Sequence, residues 1–63
     1  MKTFRVKDWP LVTNARTLKD AIFKLVDRDG NFTYHPHWYS HSDRKSWAEV
    51  TLADGYVCIV EEL

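Results

Sequence analysis

The dipeptide Asp54-Gly55 lies between two segments of alternating residues near the end of the chain, and it constrains the fold more strongly than any other feature. Asp-Gly between such segments is a strong signal for a β-hairpin with a two-residue type I′ turn, because both central positions of that turn need positive φ. The pattern therefore predicts two antiparallel strands, over residues 47–53 and 56–61.

A two-residue loop sets the register of this hairpin, and the register decides which side chains share a face. The predicted pairs are Ala53 with Tyr56, Leu52 with Val57 and Val50 with Ile59. The predicted helix-facing side is aliphatic and consists of Ala48, Val50, Leu52, Val57 and Ile59. The predicted outer side consists of Trp47, Glu49, Thr51, Ala53, Tyr56, Cys58 and Val60.

Residues 15–29 carry the helical pattern of the chain. Apolar residues recur there at the spacing of one buried helix face, namely Leu18, Ala21, Ile22, Leu25 and Val26. Thr17 followed by Asp20 resembles a capping box, and Asn14 is the alternative N-cap. Gly30 lies where a left-handed residue is wanted after the helix end.

The remaining segments predict further strands. Residues 2–7 alternate as a half-buried strand, Trp9-Pro10 interrupts it, and residues 11–14 can resume extended structure. Residues 31–34 begin another strand, in which Pro36 requires an edge position, a bulge or an early end, and we place this strand at the edge of the sheet. The predicted fold is α+β with the order β-α-β-β-β, and one helix packs on one face of a small, mostly antiparallel sheet. The first strand can pair with the last strand or with the second.

Length and composition exclude several classes of protein. The chain has 63 residues, which predicts a single domain over 1–63 without room for both a core and a deep cleft. Its Lys+Arg and Asp+Glu counts are both 9, whereas an electrostatic nucleic-acid binder is usually basic. The single cysteine, Cys58, fits a reducing compartment, and neither a signal peptide nor a membrane span is visible, so we expect a cytoplasmic protein.

Neither catalysis nor a cofactor is expected. Cys58 beside a histidine would mimic a Cys–His dyad, but a position within a hairpin strand offers no helix N-terminus to activate the thiol. A metal site formed by His35, His37 and Cys58, with His41 further along, is the alternative for these residues. Structural zinc sites usually have tighter Cys/His spacing, so we expect this segment to be a polar, aromatic loop or edge strand.

The outer sheet face is the candidate binding surface, because a single helix leaves one face of the sheet without internal cover. Trp and Tyr are enriched in binding hot spots. The candidate partner-binding residues are Trp47, Tyr56, Tyr39, Trp38, His35, His37 and Val60. The alternative for Trp47 and Tyr56 is a cross-strand pair that only stabilises the hairpin.

The expected partner is a larger protein, and homodimerisation through the same face is compatible with that hypothesis. A single-stranded nucleic acid is the alternative partner, with bases stacked on the aromatic side chains and phosphates held by the basic first strand. The acidic residues Glu49, Glu61 and Glu62 disfavour it.

In size and build the chain is similar to the small proteins with which phages and mobile elements block a host enzyme, including inhibitors of RNA polymerase and of CRISPR effectors. The resemblance lies in the short reading frame, the predicted strand and helix order and the aromatic-rich strands. It implies an inhibitor that occludes a site on a larger host protein, and it assigns no residue roles.

Overall fold

The computed structural model describes residues 1–40, 42 and 44–63, and within them the chain forms an antiparallel sheet of five strands and one α-helix. The elements are β1 (Lys2–Val6), β2 (Val12–Ala15), α1 (Leu18–Leu25), β3 (Phe32–Trp38), β4 (Ser46–Leu52) and β5 (Val57–Glu62). This confirms the predicted α+β class with one helix on one face of the sheet. The described helix is too short to cross a membrane.

The strands lie in the order β2-β1-β5-β4-β3, so β5 is the central strand. The first strand therefore pairs with the last one, which the sequence left open. Residues 11–14 were expected to be extended, and most of this segment forms β2, which pairs with β1. A short turn joins the two strands, and Asp8 enters the left-handed region there at φ 68°.

Pro36 lies in the edge strand β3, as predicted. The Tyr39 N–H donates to the Lys45 carbonyl across the β3–β4 pair. Because hydrogen-bonded positions alternate along an antiparallel strand, the backbone of Pro36 faces outward from the sheet. The missing N–H of Pro36 therefore costs no hydrogen bond within the ladder.

The helix is shorter than the pattern that predicts it. Thr17 is the N-cap, and its Oγ1 accepts a hydrogen bond from the Asp20 N–H at 3.1 Å, whereas the alternative cap Asn14 belongs to β2. The helix ends with Val26 as its C-cap. Gly30 does have positive φ, at 78°, but it lies in the later turn before β3, so its predicted role as the residue after the helix end is wrong.

The hairpin loop differs from the prediction by one residue. Leu52 N–H donates to the Tyr56 carbonyl and Gly55 N–H donates to the Leu52 carbonyl, so Ala53, Asp54 and Gly55 form a three-residue loop. Of these three residues only Gly55 has positive φ, at 88°, as expected for a type I turn followed by a left-handed glycine. The predicted two-residue type I′ turn is wrong, because Asp-Gly also fits this longer loop.

The changed loop reverses the faces of β5. Val50 pairs with Cys58 and Ala48 with Val60, so the predicted pairing of Val50 with Ile59 is wrong. Since a shift of one residue turns every side chain to the opposite face, Cys58 and Val60 face the helix. The buried core consists of Phe4, Val6, Ala15, Ala21, Ile22, Ala48, Val50 and Val60.

Candidate functional site

The sheet face opposite α1 is here called the open face. Paired residues on neighbouring antiparallel strands project to the same side, so the register assigns its members. They are Thr3, Arg5, Lys7, Val12, Asn14, Thr33, His35, His37, Trp47, Glu49, Thr51, Val57, Ile59 and Glu61. The open face therefore carries aromatic, aliphatic and charged side chains of both signs.

The structure separates the predicted binding residues into two groups. Trp47, His35 and His37 lie on the open face, and the ring of Tyr39, just after β3, contacts that of Trp47. These members of the predicted surface are therefore brought together.

The other predicted residues lie elsewhere. Val60 is 0% exposed in the core, so its placement on a contact surface is wrong. Tyr56 contacts Trp9 rather than Trp47, with ring centroids 6.2 Å apart. Trp38 is 61% exposed but pairs with Ser46 on the helix side of β3. The reversed parity of β5 and the alternation along β3 explain these differences.

A row of side chains crosses all the strands of the open face. It runs from Val12 through Arg5, Glu61 and Trp47 to His37, and each residue is the direct register partner of the next. Directly opposed side chains are close enough to interact across antiparallel strands. The row therefore joins an ion pair on the central strands to an aromatic group near the β3 edge.

Three rings form the aromatic group, which is here called the aromatic stack and consists of His37, Trp47 and Tyr39. The His37 and Trp47 ring centroids are 4.4 Å apart with an interplanar angle of 22°. The Tyr39 and Trp47 centroids are 5.8 Å apart with an angle of 27°. Near-parallel aromatic contacts of this kind restrict the rotamers of all three side chains.

Glu61 anchors the aromatic stack. Its side chain is 9% exposed; Oε2 accepts a hydrogen bond from Arg5 Nε at 2.8 Å and Oε1 accepts one from the Tyr39 hydroxyl at 2.5 Å. The hydrogen bond from Tyr39 is the main reason that the pKa of Glu61 lies below its ordinary value, and Arg5 and Lys7 act in the same direction against the opposing effect of burial. Glu61 is therefore a carboxylate that the open face holds in its charged form.

Tyr39 shows the reciprocal effect. Its hydrogen bond to Glu61 raises the pKa of the phenol above its ordinary value, because removing the proton would break that bond and place a second negative charge beside the carboxylate. The hydroxyl is therefore a stable donor rather than a general base, and the pair serves to position the Tyr39 ring.

The predicted metal ligands do not share a face. His35 and His37 lie on the open face, whereas Cys58 pairs with Val50 on the helix side, so the expectation of all three on one face is wrong. No group of three or more His, Cys, Asp or Glu side chains within residues 1–40, 42 and 44–63 has a metal-binding arrangement. The predicted fourth ligand, His41, lies outside the described residues.

Cys58 faces an apolar pocket of about 240 Å³ at one end of the helix side. Burial raises the pKa of this thiol, which disfavours the thiolate needed by a nucleophile. The pocket is lined by Val6, Trp9, Leu11, Leu25, Val26, Leu52, Asp54, Tyr56 and Cys58. It lies on the other side of the sheet from the aromatic stack, so the two surfaces are independent.

Sequence reasoning missed Arg5 and Glu61 as members of the site. The alternation of β1 already directed Arg5 away from the core, and this was the available signal. The sequence contained no comparable signal for Glu61, because the incorrectly predicted register of β5 placed this residue on the helix-facing side.

No protein-family model, curated protein or solved structure matches the chain, so its function has to be argued from the surface itself.

Proposed function

We propose that this chain is a protein-binding module that occludes a surface of a larger protein, with the aromatic stack as the centre of contact. One observation carries the proposal: Trp47, His37 and Tyr39 are stacked on a sheet face that no other described part of the chain covers. Large aromatic side chains on an uncovered face are typical of contact surfaces rather than of a solvated surface.

Preorganisation is the physical advantage of this arrangement. Ordering a side chain at an interface costs roughly 0.5–1.5 kcal/mol. Stacking on Trp47 and the hydrogen bond to Glu61 already hold the Tyr39 ring in the free protein. Tyr39 is nevertheless 50% exposed, so a partner would bury much additional aromatic surface.

The charges near the aromatic stack favour a protein partner over a nucleic acid. The basic first strand would have to supply the phosphate contacts. Lys2, whose Nζ is 3.9 Å from Glu62, lies on the helix side of the sheet, and on the open face Arg5 Nε is 2.8 Å from Glu61. Glu49 adds a further carboxylate to the same face. A phosphate backbone would therefore meet carboxylates beside each of these cations, which weakens the electrostatic attraction on which such binding depends.

The similarity in size and build to phage-encoded inhibitors extends this proposal to a host enzyme as the target, such as an RNA polymerase or a CRISPR effector. In this proposal the protein acts in the cytoplasm, where an unpaired thiol such as Cys58 persists. Binding alone would produce inhibition, and the chain would need no catalytic group of its own.

The test compares two tryptophan variants by affinity capture. Trp47→Ala removes the centre of the aromatic stack, whereas Trp38→Ala removes an equally large side chain from the helix side of the neighbouring strand. Tagged wild-type and variant proteins are incubated with nuclease-treated lysate at high salt, and the captured proteins are identified by mass spectrometry. We expect one stoichiometric large protein with the wild type and Trp38→Ala, and its loss with Trp47→Ala.

Circular dichroism and thermal unfolding check that each variant is folded. If Trp47→Ala unfolds, His37→Ala replaces it, because His37 is exposed on the edge strand and contributes less to packing. Equal capture by all folded variants would contradict the proposal. Capture by the wild type only from lysate that was not treated with nuclease would instead assign the face to nucleic acid.

A further inference from the structure

One row of the open face carries opposite charges on the two sides of its central strand. Ile59 lies on β5; Glu49 is its register partner on β4, and on the other side the Lys7 N–H donates to the Ile59 carbonyl at 2.8 Å. The row therefore consists of Lys7, Ile59 and Glu49, with opposite charges one strand away on either side of an apolar centre. Lys7 follows the buried Val6 by one position, so alternation along β1 directs its side chain to the open face.

The central strand supplies the apolar part of this pattern. Val57 and Ile59 project from β5 onto the open face, and Val57 is 52% exposed. Ile59 is half-buried. An exposed valine beside it on the middle strand leaves apolar area uncovered where another sheet can pack.

We infer that a second copy of this chain binds the open face, with a two-fold axis parallel to β5. Rotation about that axis places β1 of one copy over β4 of the other. Lys7 then faces Glu49 of the second copy, and Glu49 faces the second Lys7, while Ile59 and Val57 pack on their own counterparts. A tilt of the axis by about 15° from β5 gives the usual angle of about 30° between packed sheets, and because the neighbouring strands lie only about 5 Å from the axis, these pairs stay within reach.

The neighbouring row, formed by Arg5, Glu61 and Trp47, is also compatible with this two-fold axis. Arg5 of one copy faces the position of Trp47 in the other, and 48% of the Arg5 side chain is exposed, so its guanidinium can contact the aromatic stack of the second copy. Glu61 meets its own counterpart near the axis. Its carboxylate is already bound by Arg5 and Tyr39, so the repulsion between the two copies is reduced.

The dimensions of the sheet predict a weak dimer. Five strands spaced by about 4.8 Å, each roughly 20 Å long, give a face of about 500 Å² per copy. The resulting total of roughly 1,000 Å² lies at the lower limit of specific interfaces. We therefore expect dissociation constants in the micromolar range or weaker, and a target protein could displace the second copy from the same face.

Charge reversal at the two faced positions tests this inference on the purified chain. Lys7→Glu and Glu49→Lys each place like charges opposite one another twice in the dimer, so each variant alone is expected to associate at least about tenfold more weakly than the wild type. An equimolar mixture of the two variants restores both opposite-charge pairs, so we expect a heterodimer. The double variant is likewise expected to form a homodimer again.

Sedimentation velocity from low micromolar to millimolar concentration is measured for the wild type, the two single variants, their mixture and the double variant. Lys19→Glu is the matched control, because it makes the same change of charge at an exposed position of α1, on the other side of the sheet from the open face, and is expected to dimerise like the wild type. A wild-type chain that stays monomeric at millimolar concentration overturns the inference. A mixture of the two single variants that does not associate also overturns it.

This inference shares the open face with the proposed function, but the two fail independently. Self-association is measured without any other protein, whereas target capture is measured at low concentration of the tagged chain. If the wild type stays monomeric but still captures its target through Trp47, the inferred dimer is wrong and the proposed function stands.

Discussion

The hydroxyl of Tyr39 donates to Oε1 of Glu61 although a whole strand lies between their backbones. The Tyr39 ring crosses that strand by stacking on Trp47. The buried carboxylate of the central strand thus holds an aromatic ring of the edge in place. This relationship makes the aromatic stack sensitive to changes at a distant charged residue.

Tyr39→Phe should loosen the aromatic stack without removing its ring. Glu61 loses the hydrogen bond that contributes most to its lowered pKa, so the pKa of Glu61 should rise toward its ordinary value. The free energy of unfolding should fall by about 1 kcal/mol, because a hydrogen bond to a charged group is lost at a half-exposed site. Carbon-detected NMR titration of the Glu61 carboxyl and urea unfolding measure the two effects.

Tyr56→Phe is the control for that variant, since Tyr56 lies on the helix side beside Trp9. It should leave the titration of Glu61 unchanged. An unchanged Glu61 pKa in Tyr39→Phe would mean that the hydrogen bond does not form in solution.

Protonation of Glu61 should lower the free energy of unfolding in acid. Its pKa is lower in the folded state than the ordinary value of 4.5, so the unfolded chain takes up the proton more readily. The stabilisation is complete above pH 4.5 and is lost as the pH falls through the folded-state value. Urea unfolding of the wild type and of Glu61→Gln at several pH values measures this contribution.

The difference in unfolding free energy between these two proteins should be largest near neutral pH. It should shrink in acid, because a protonated Glu61 and a glutamine are both neutral. A difference that does not depend on pH would show that packing, and not the carboxylate charge, makes Glu61 important.

The two glycines should respond unequally to alanine. Gly55 has φ 88° and open space around its Cβ position, so Gly55→Ala should cost only the left-handed strain of about 1 kcal/mol. Gly30 has φ 78°, and a Cβ there would lie 2.9 Å from Phe23 Cε1, so Gly30→Ala should cost roughly 1 kcal/mol more. Denaturant unfolding of both variants provides the comparison, and equal costs would mean that the Phe23 ring moves aside freely.

Thiol reactivity should report the register of β5. Cys58 faces the helix side and burial raises its pKa, so it should react slowly with a charged alkylating reagent at neutral pH. A cysteine introduced by Val57→Cys in a Cys58→Ala background lies on the open face and should react about tenfold faster or more. Faster alkylation of Cys58 than of the introduced cysteine would support the two-residue loop. Alkylation by the same reagent in urea gives the reference rate for each thiol.

Local patterns in the sequence were sufficient for the elements and the fold class. The helix periodicity around Ala21 and Ile22, the cap at Thr17 and the edge position of Pro36 were all predicted, because each depends on neighbouring residues or on the missing N–H of proline. The uncovered face and the place of Trp47 on it followed from the presence of one helix and from the alternation of β4.

The register of β5 was decided only by the tertiary structure. Both parities of this strand are apolar, with Val57 and Ile59 on one side and Cys58 and Val60 on the other, so alternation cannot distinguish them. Asp54-Gly55 favours a two-residue loop but also fits a three-residue loop with glycine in the left-handed position. The predicted register placed Tyr56 on the open face, whereas the structure places Glu61 there. The reason is that a contact between distant strands, and not any local preference, determines which side of β5 packs on the helix.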